Sequence, residues 1–102
     1  MLQIVIIGEK ETVTTFATLG VRGVIVNSAD EMYKELLENA KKEDIGLILL
    51  SEAFSRKIRD KINNFRLKNP IPIILEVPSR LTKEKVYFDY KDIIKKSMGV
   101  KI

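Results

Sequence analysis

The side chains with a claim to chemistry in this chain are carboxylates. Glu9 and Glu11 follow the first apolar run, Ser51-Glu52 follows the third, and Glu76 stands inside the apolar segment Ile73-Ile74-Leu75-Glu76-Val77. Acids gathered beyond two neighbouring strands can hold a divalent cation. A carboxyl set among apolar side chains can act as a general acid if burial raises its pKa. No histidine and no cysteine accompany them. That absence removes the commonest general base, the commonest transition-metal ligand and every Ser–His or Cys–His mechanism. It also takes away the usual ligands of a structural zinc.

Each carboxylate has a plainer reading. A phosphate-binding loop needs several glycines, so that backbone N–H groups can approach the oxygens. Gly8-Glu9-Lys10-Glu11-Thr12 offers one glycine and two carboxylates that repel a phosphate, and no GxGxxG or GxxxxGK[ST] occurs. A phosphoacceptor receiver domain has this size and needs an aspartate ending strand three, with a lysine after the last strand. Here those places read Leu50-Ser51-Glu52 and Glu76-Val77-Pro78, so the receiver reading fails at its nucleophile. Glu76 itself is expected to bond backbone at a sheet end or to pair with a neighbouring lysine. No catalytic residue, metal ligand or cofactor is assigned.

The elements that must position these groups follow from apolar periodicity. Residues 2–7 form an apolar run apart from Gln3, ended by Gly8, and residues 11–19 a short helix closed by Gly20. Residues 23–26 read as a second strand. Ser28 and Glu31 have the spacing of a capping box, opening a helix with Ala29, Met32, Tyr33, Leu36, Leu37 and Ala40 on one face. Residues 46–50 (GLILL) are apolar on both faces, as a central parallel strand requires. Ser51 is placed to cap the next helix, whose buried stripe is Phe54, Ile58, Ile62 and Phe65 and which Asn69-Pro70 ends.

All three prolines then fall at positions 70, 72 and 78. Proline lacks the N–H that a sheet ladder uses, so it belongs beside a strand or on an edge. The segment therefore reads as a bracketed edge strand, with Ile71, Ile73, Leu75 and Val77 on a fully apolar face and Pro72, Ile74, Glu76 and Pro78 opposite. The prolines guard that edge against pairing with another chain. A polar loop over 79–85 and a last helix over 90–98, stopped by Gly99, complete the chain.

Strand and helix alternating four times predict an α/β fold, a small Rossmann-like, receiver-like three-layer sandwich. Its four-stranded, mainly parallel sheet has the order 2-1-3-4, with the evenly apolar strands one and three central. At 102 residues it is one domain. Residues 1–78 form the core, and 79–102 a loop and C-terminal helix free to swing. The start of the chain lacks a signal peptide's basic region, and no run approaches the roughly 18 apolar residues that cross a bilayer. A cytoplasmic chain without direct membrane insertion is expected.

Charge is uneven: residues 1–50 carry 5 basic and 8 acidic side chains (−3), and residues 51–102 carry 13 and 6 (+7). Arg56, Lys57, Arg59, Lys61, Arg66 and Lys68 flank the apolar stripe of the third helix on both sides, against the single Asp60. That is how an amphipathic helix keeps long cationic side chains in water. No aromatic is interleaved for base stacking, so nucleic acid is not the expected partner. An acidic protein surface is the functional alternative. The tail is rich in apolar groups, including Tyr90, Ile93, Ile94, Met98, Val100 and Ile102. Part of it must cover the sheet; the remainder either docks on the chain's own sheet, the favoured reading, or faces a partner.

Taken in order, three blocks and the terminus resemble the F subunit of the V-type (archaeal/vacuolar-type) ATPases and ATP synthases. The first is IVIIGEKETVTTFATLGVRGV, and the second EDIGLILLSE, similar to the family's DIGIILITE. The third is PIPIILEVPS, similar to PLIVEIPS, and the ending MGVKI stands where the family tends to show AVGI. Glu9 stands where an aspartate is usual and Thr15 where a glycine is frequent. The resemblance implies a non-catalytic central-stalk, or rotor, component, peripheral to the membrane and helping couple ATP turnover to shaft rotation and H⁺ or Na⁺ transport. It implies a coiled-coil partner in the central shaft (the D subunit) and transient contact with the head subunits A and B. Arg56, Arg59 and the tail residues Tyr90, Ile93, Ile94, Met98, Val100 and Ile102 are the expected contact groups. The competing reading is a degenerate receiver-like interaction domain in signalling.

Overall fold

A computed structural model describes residues 2–78. The elements are β1 (Gln3–Gly8), α1 (Lys10–Ala17), β2 (Arg22–Ile25), α2 (Ala29–Ala40), β3 (Ile45–Ser51), α3 (Glu52–Ser55), a 3₁₀ turn (Arg56–Ile58), α4 (Arg59–Lys68) and β4 (Ile73–Val77). The four strands form one sheet in the order β2-β1-β3-β4, every pair parallel, as the alternating pattern predicts. The loop over 79–85 and the helix over 90–98 lie outside the described residues.

The central strands are buried on both faces, which is why their sequences are apolar without alternation. On one face, Val5, Ile7, Ile48, Leu50 and Ile74 meet Met32 and Leu36 of α2 and Ile58 and Ile62 of the segment after β3. On the other, Ile6, Leu47, Leu49 and Val77 meet Val13 and Phe16 of α1. The split follows the period of two along each strand.

The helix ends carry the expected chemistry. Ser28 caps α2, its Oγ accepting from the Glu31 N–H at 3.1 Å. The Glu31 carboxylate reaches back one residue further than a standard capping box, accepting from the Asn27 N–H at 2.7 Å. Gly20 closes the turn after α1 at φ +80°, a left-handed conformation that a side chain would strain.

Two expectations are modified. The single helix anticipated after Ser51 is broken: α3 tightens into the 3₁₀ turn, and α4 restarts after Ile58, whose φ of −125° and ψ of 27° leave the helical region. A 3₁₀ turn eclipses residues three apart, so Ser55 and Ile58 both turn inward, at 0% and 7% exposure. The apolar face anticipated on β4 is covered only toward its C-terminal end. Val77 is fully buried, but Ile73 and Ile71 are 49% and 73% exposed. Ile71 precedes the strand, and Ile73 is the first residue of a strand that, among the described residues, pairs on one side only. Pro70 and Pro72 lie before β4 and Pro78 after it, so none interrupts the ladder.

Candidate functional site: the sheet end and the broken helix

In an open parallel sheet, ligands collect beyond the C-terminal strand ends where the order reverses. Here that place lies between β1 and β3, at Gly8-Glu9 and Ser51-Glu52. The protein fills it itself. Ser51 ends β3 fully buried, and its hydroxyl donates a short hydrogen bond to Glu9 Oε1. Gly8 lies so close that a Cβ added there would come within 2.6 Å of Ser51 Cβ. The glycine is therefore a close-approach residue, not part of a phosphate cradle. Among the described residues no group of three or more acids, histidines or cysteines could hold a metal ion.

Glu76 has a different surrounding from either one anticipated. Among the described residues its partners are Arg59 and Ser55, neither a lysine nor the backbone. Arg59 Nε donates to Oε2 at 3.2 Å and Nη2 to Oε1 at 3.0 Å, while Ser55 Oγ donates to Oε1 at 2.5 Å. Burial pushes the Glu76 carboxyl up, but hydrogen bonds from Arg59 and Ser55, with the charges of Arg59 and Arg66, hold it below its ordinary range. Those bonds and the facing carboxylate raise Arg59 in turn. A general acid working near neutral pH needs a raised carboxyl. Glu76 instead fastens β4 to the start of α4.

The contact groups expected from sequence divide accordingly. Arg56 sits on the 3₁₀ turn with its side chain 65% exposed and in a long contact with Glu52 at 3.5 Å. Arg59 opens α4 with its guanidinium committed to Glu76. Tyr90, Ile93, Ile94, Met98, Val100 and Ile102 lie outside the described residues. A second surface escaped the sequence reading. Tyr33, Leu37 and Ala40, assigned there to the buried face of α2, are only half-buried; Leu37 and Ala40, with Phe65 of α4, line a groove of about 450 Å³. The available signal was angular: at 100° per residue, Leu37 lies about 100° around the helix from Leu36 and about 140° from Met32.

A family model described as ATP synthase (F/14-kDa) subunit matches residues 4–98. The chain belongs to that family. The F subunit of the A-type ATP synthase of Methanothermobacter thermautotrophicus is 29% identical over 101 residues, spanning 97% of this chain and 94% of that protein. That of Methanocaldococcus jannaschii is 30% identical over 100 residues, spanning 97% of both. That of Pyrococcus abyssi is 28% identical over 110 residues, spanning 99% of this chain and 98% of its own. As a member of this family, the chain is one component of a rotary ATPase complex. The filled sheet end is compatible with such a component. No helix among the described residues is long and apolar enough to cross a membrane.

Proposed function

We propose that this chain is a non-catalytic central-stalk component of a V/A-type ATPase or ATP synthase. In this role it rides with the rotor on the cytoplasmic side, peripheral to the membrane. It binds the coiled-coil D subunit of the shaft, touches the head subunits A and B transiently, and helps couple ATP hydrolysis or synthesis to rotation and to H⁺ or Na⁺ transport. The observation that carries the reading is the family match over residues 4–98. The closed sheet end supports it, because the place where a parallel sheet usually binds a ligand is occupied by Glu9 and Ser51.

The contact surface follows from exposure. Arg56 is the better partner group of the two arginines, since Arg59 is fastened to Glu76. The tail residues Tyr90, Ile93, Ile94, Met98, Val100 and Ile102 supply the apolar part of the contact.

The test is ATP turnover by a head assembled from its A and B subunits and the coiled-coil shaft, with and without this chain. The chain alone hydrolyses no ATP. Added to the head it joins the complex and changes the hydrolysis rate. A rate and a composition of the complex that stay the same would contradict the proposal.

A further inference from the structure

The groove between α2 and α4 has an apolar floor, a charged wall on α2, and Phe65 and Asn69 on the other side. Leu37, Ala40 and Phe65 form the half-buried floor. Lys34 and Lys41 line one wall, seven residues apart and therefore two helical turns along α2. On α4, Lys61 and Lys68 stand four residues before and three after Phe65, the spacings that place side chains beside it on one helix face. Lys61 also reaches across to α2, its Nζ 5.4 Å from the centre of the Tyr33 ring. The lining itself holds Lys34 and Lys41 and one acid, Glu38, which faces Lys41 at 3.9 Å, while Lys61 and Lys68 stand beside it on α4.

An apolar floor with lysines spaced two helical turns apart along both flanking helices is the complement of an amphipathic helix. Its apolar stripe would meet Leu37, Ala40 and Phe65, and acidic residues on both flanks would meet the lysines. Charge distinguishes the candidate occupants. Segment 79–102 carries 7 basic and 3 acidic side chains, so the chain's own tail brings +4 to flanks that are already positive. A second copy brings a net +4 as well. Phosphate-bearing partners match the lysines but leave the floor unused.

We propose that the α2–α4 groove is a docking site for one acidic, amphipathic helix of another protein. The site is separate from the Arg56 end and requires only that the chain meets a protein partner. It goes beyond the rotor reading, and it holds or fails independently of the identity of the complex.

The test uses the full chain, isotope-labelled for amide NMR, titrated with a designed helical peptide having a leucine stripe flanked by glutamates. Two control peptides replace the glutamates by lysines or the leucines by glutamines. The acidic peptide is expected to shift the amides of Leu37, Ala40, Lys41 and Phe65, and both controls to bind at least about tenfold more weakly. The double variant Lys34→Glu, Lys61→Glu, exposed on both flanking helices, is expected to weaken the acidic peptide by a similar factor while its own spectrum stays folded. Salt weakens the binding as well. Equal binding of the glutamine control would overturn the proposal, because the floor then contributes nothing. Contacts in the free chain between Phe65 and Tyr87, Phe88 or Tyr90 would also overturn it, by giving the groove to the tail.

Discussion

Arg59 and Glu76 meet in a two-pronged ion pair, Nη2 to Oε1 at 3.0 Å and Nε to Oε2 at 3.2 Å, which joins the first residue of α4 to the edge strand β4. The guanidinium fork matches the carboxylate plane, and Ser55 supplies a third donor from the preceding turn. Among the described residues β4 has a ladder neighbour on one side only, so this side-chain fastening adds to the hydrogen bonds it shares with β3. Since Glu76 is held in this way, the carboxyl that looked most like a general acid in the sequence is a structural group.

The lowered pKa of Glu76 makes the pair a pH-dependent contribution to stability. With a folded pKa below the ordinary 4.5, the contribution is complete above 4.5 and is lost as pH falls through the folded value. Glu76→Gln removes it. Urea unfolding from pH 6 to pH 2.5 is expected to show a stability difference between the two proteins that shrinks on acidification. A difference that grows toward low pH would mean that burial, and not Arg59, governs the carboxyl.

Gly8 tests the closed sheet end. Alanine there brings its Cβ to 2.6 Å from Ser51 Cβ, a buried atom that cannot swing away as a long side chain can. Gly8→Ala is expected to cost about 1–3 kcal/mol by overpacking, read from denaturant midpoints. A neutral result would mean that β1 and β3 separate easily at this end, leaving room for a ligand.

The two sides of α4 are expected to differ sharply. Ile62 is fully buried against the sheet, and Leu67 is 83% exposed. Ile62→Ala is expected to destabilise by about 2–5 kcal/mol, Leu67→Ala by about 0.5 kcal/mol or less. Comparable losses in thermal or chemical unfolding would place α4 in a different rotation about its axis.

The parts legible in sequence were those fixed by periodicity and local chemistry. Residues 46–50, apolar on both faces, gave a central strand; Ser28 with Glu31 gave the start of α2; the prolines gave the limits of β4. What escaped depends on tertiary placement. Arg59 and Glu76 are 17 positions apart, and only the crossover from α4 to β4 brings them together. The break at Ile58 has no proline or glycine to announce it, because it serves the inward turn of Ser55 and Ile58. Leu37 and Phe65 read as core because they are apolar, while the spacing of two helices leaves them on the floor of a groove.

The rotor assignment is tested most directly by size-exclusion chromatography with light scattering on this chain mixed with the coiled-coil shaft protein from the same genome. Co-elution as a 1:1 complex is the predicted result, weakened by Arg56→Glu combined with Ile93→Asp and Met98→Asp. Separate elution of the two folded proteins at both low and moderate salt would contradict it.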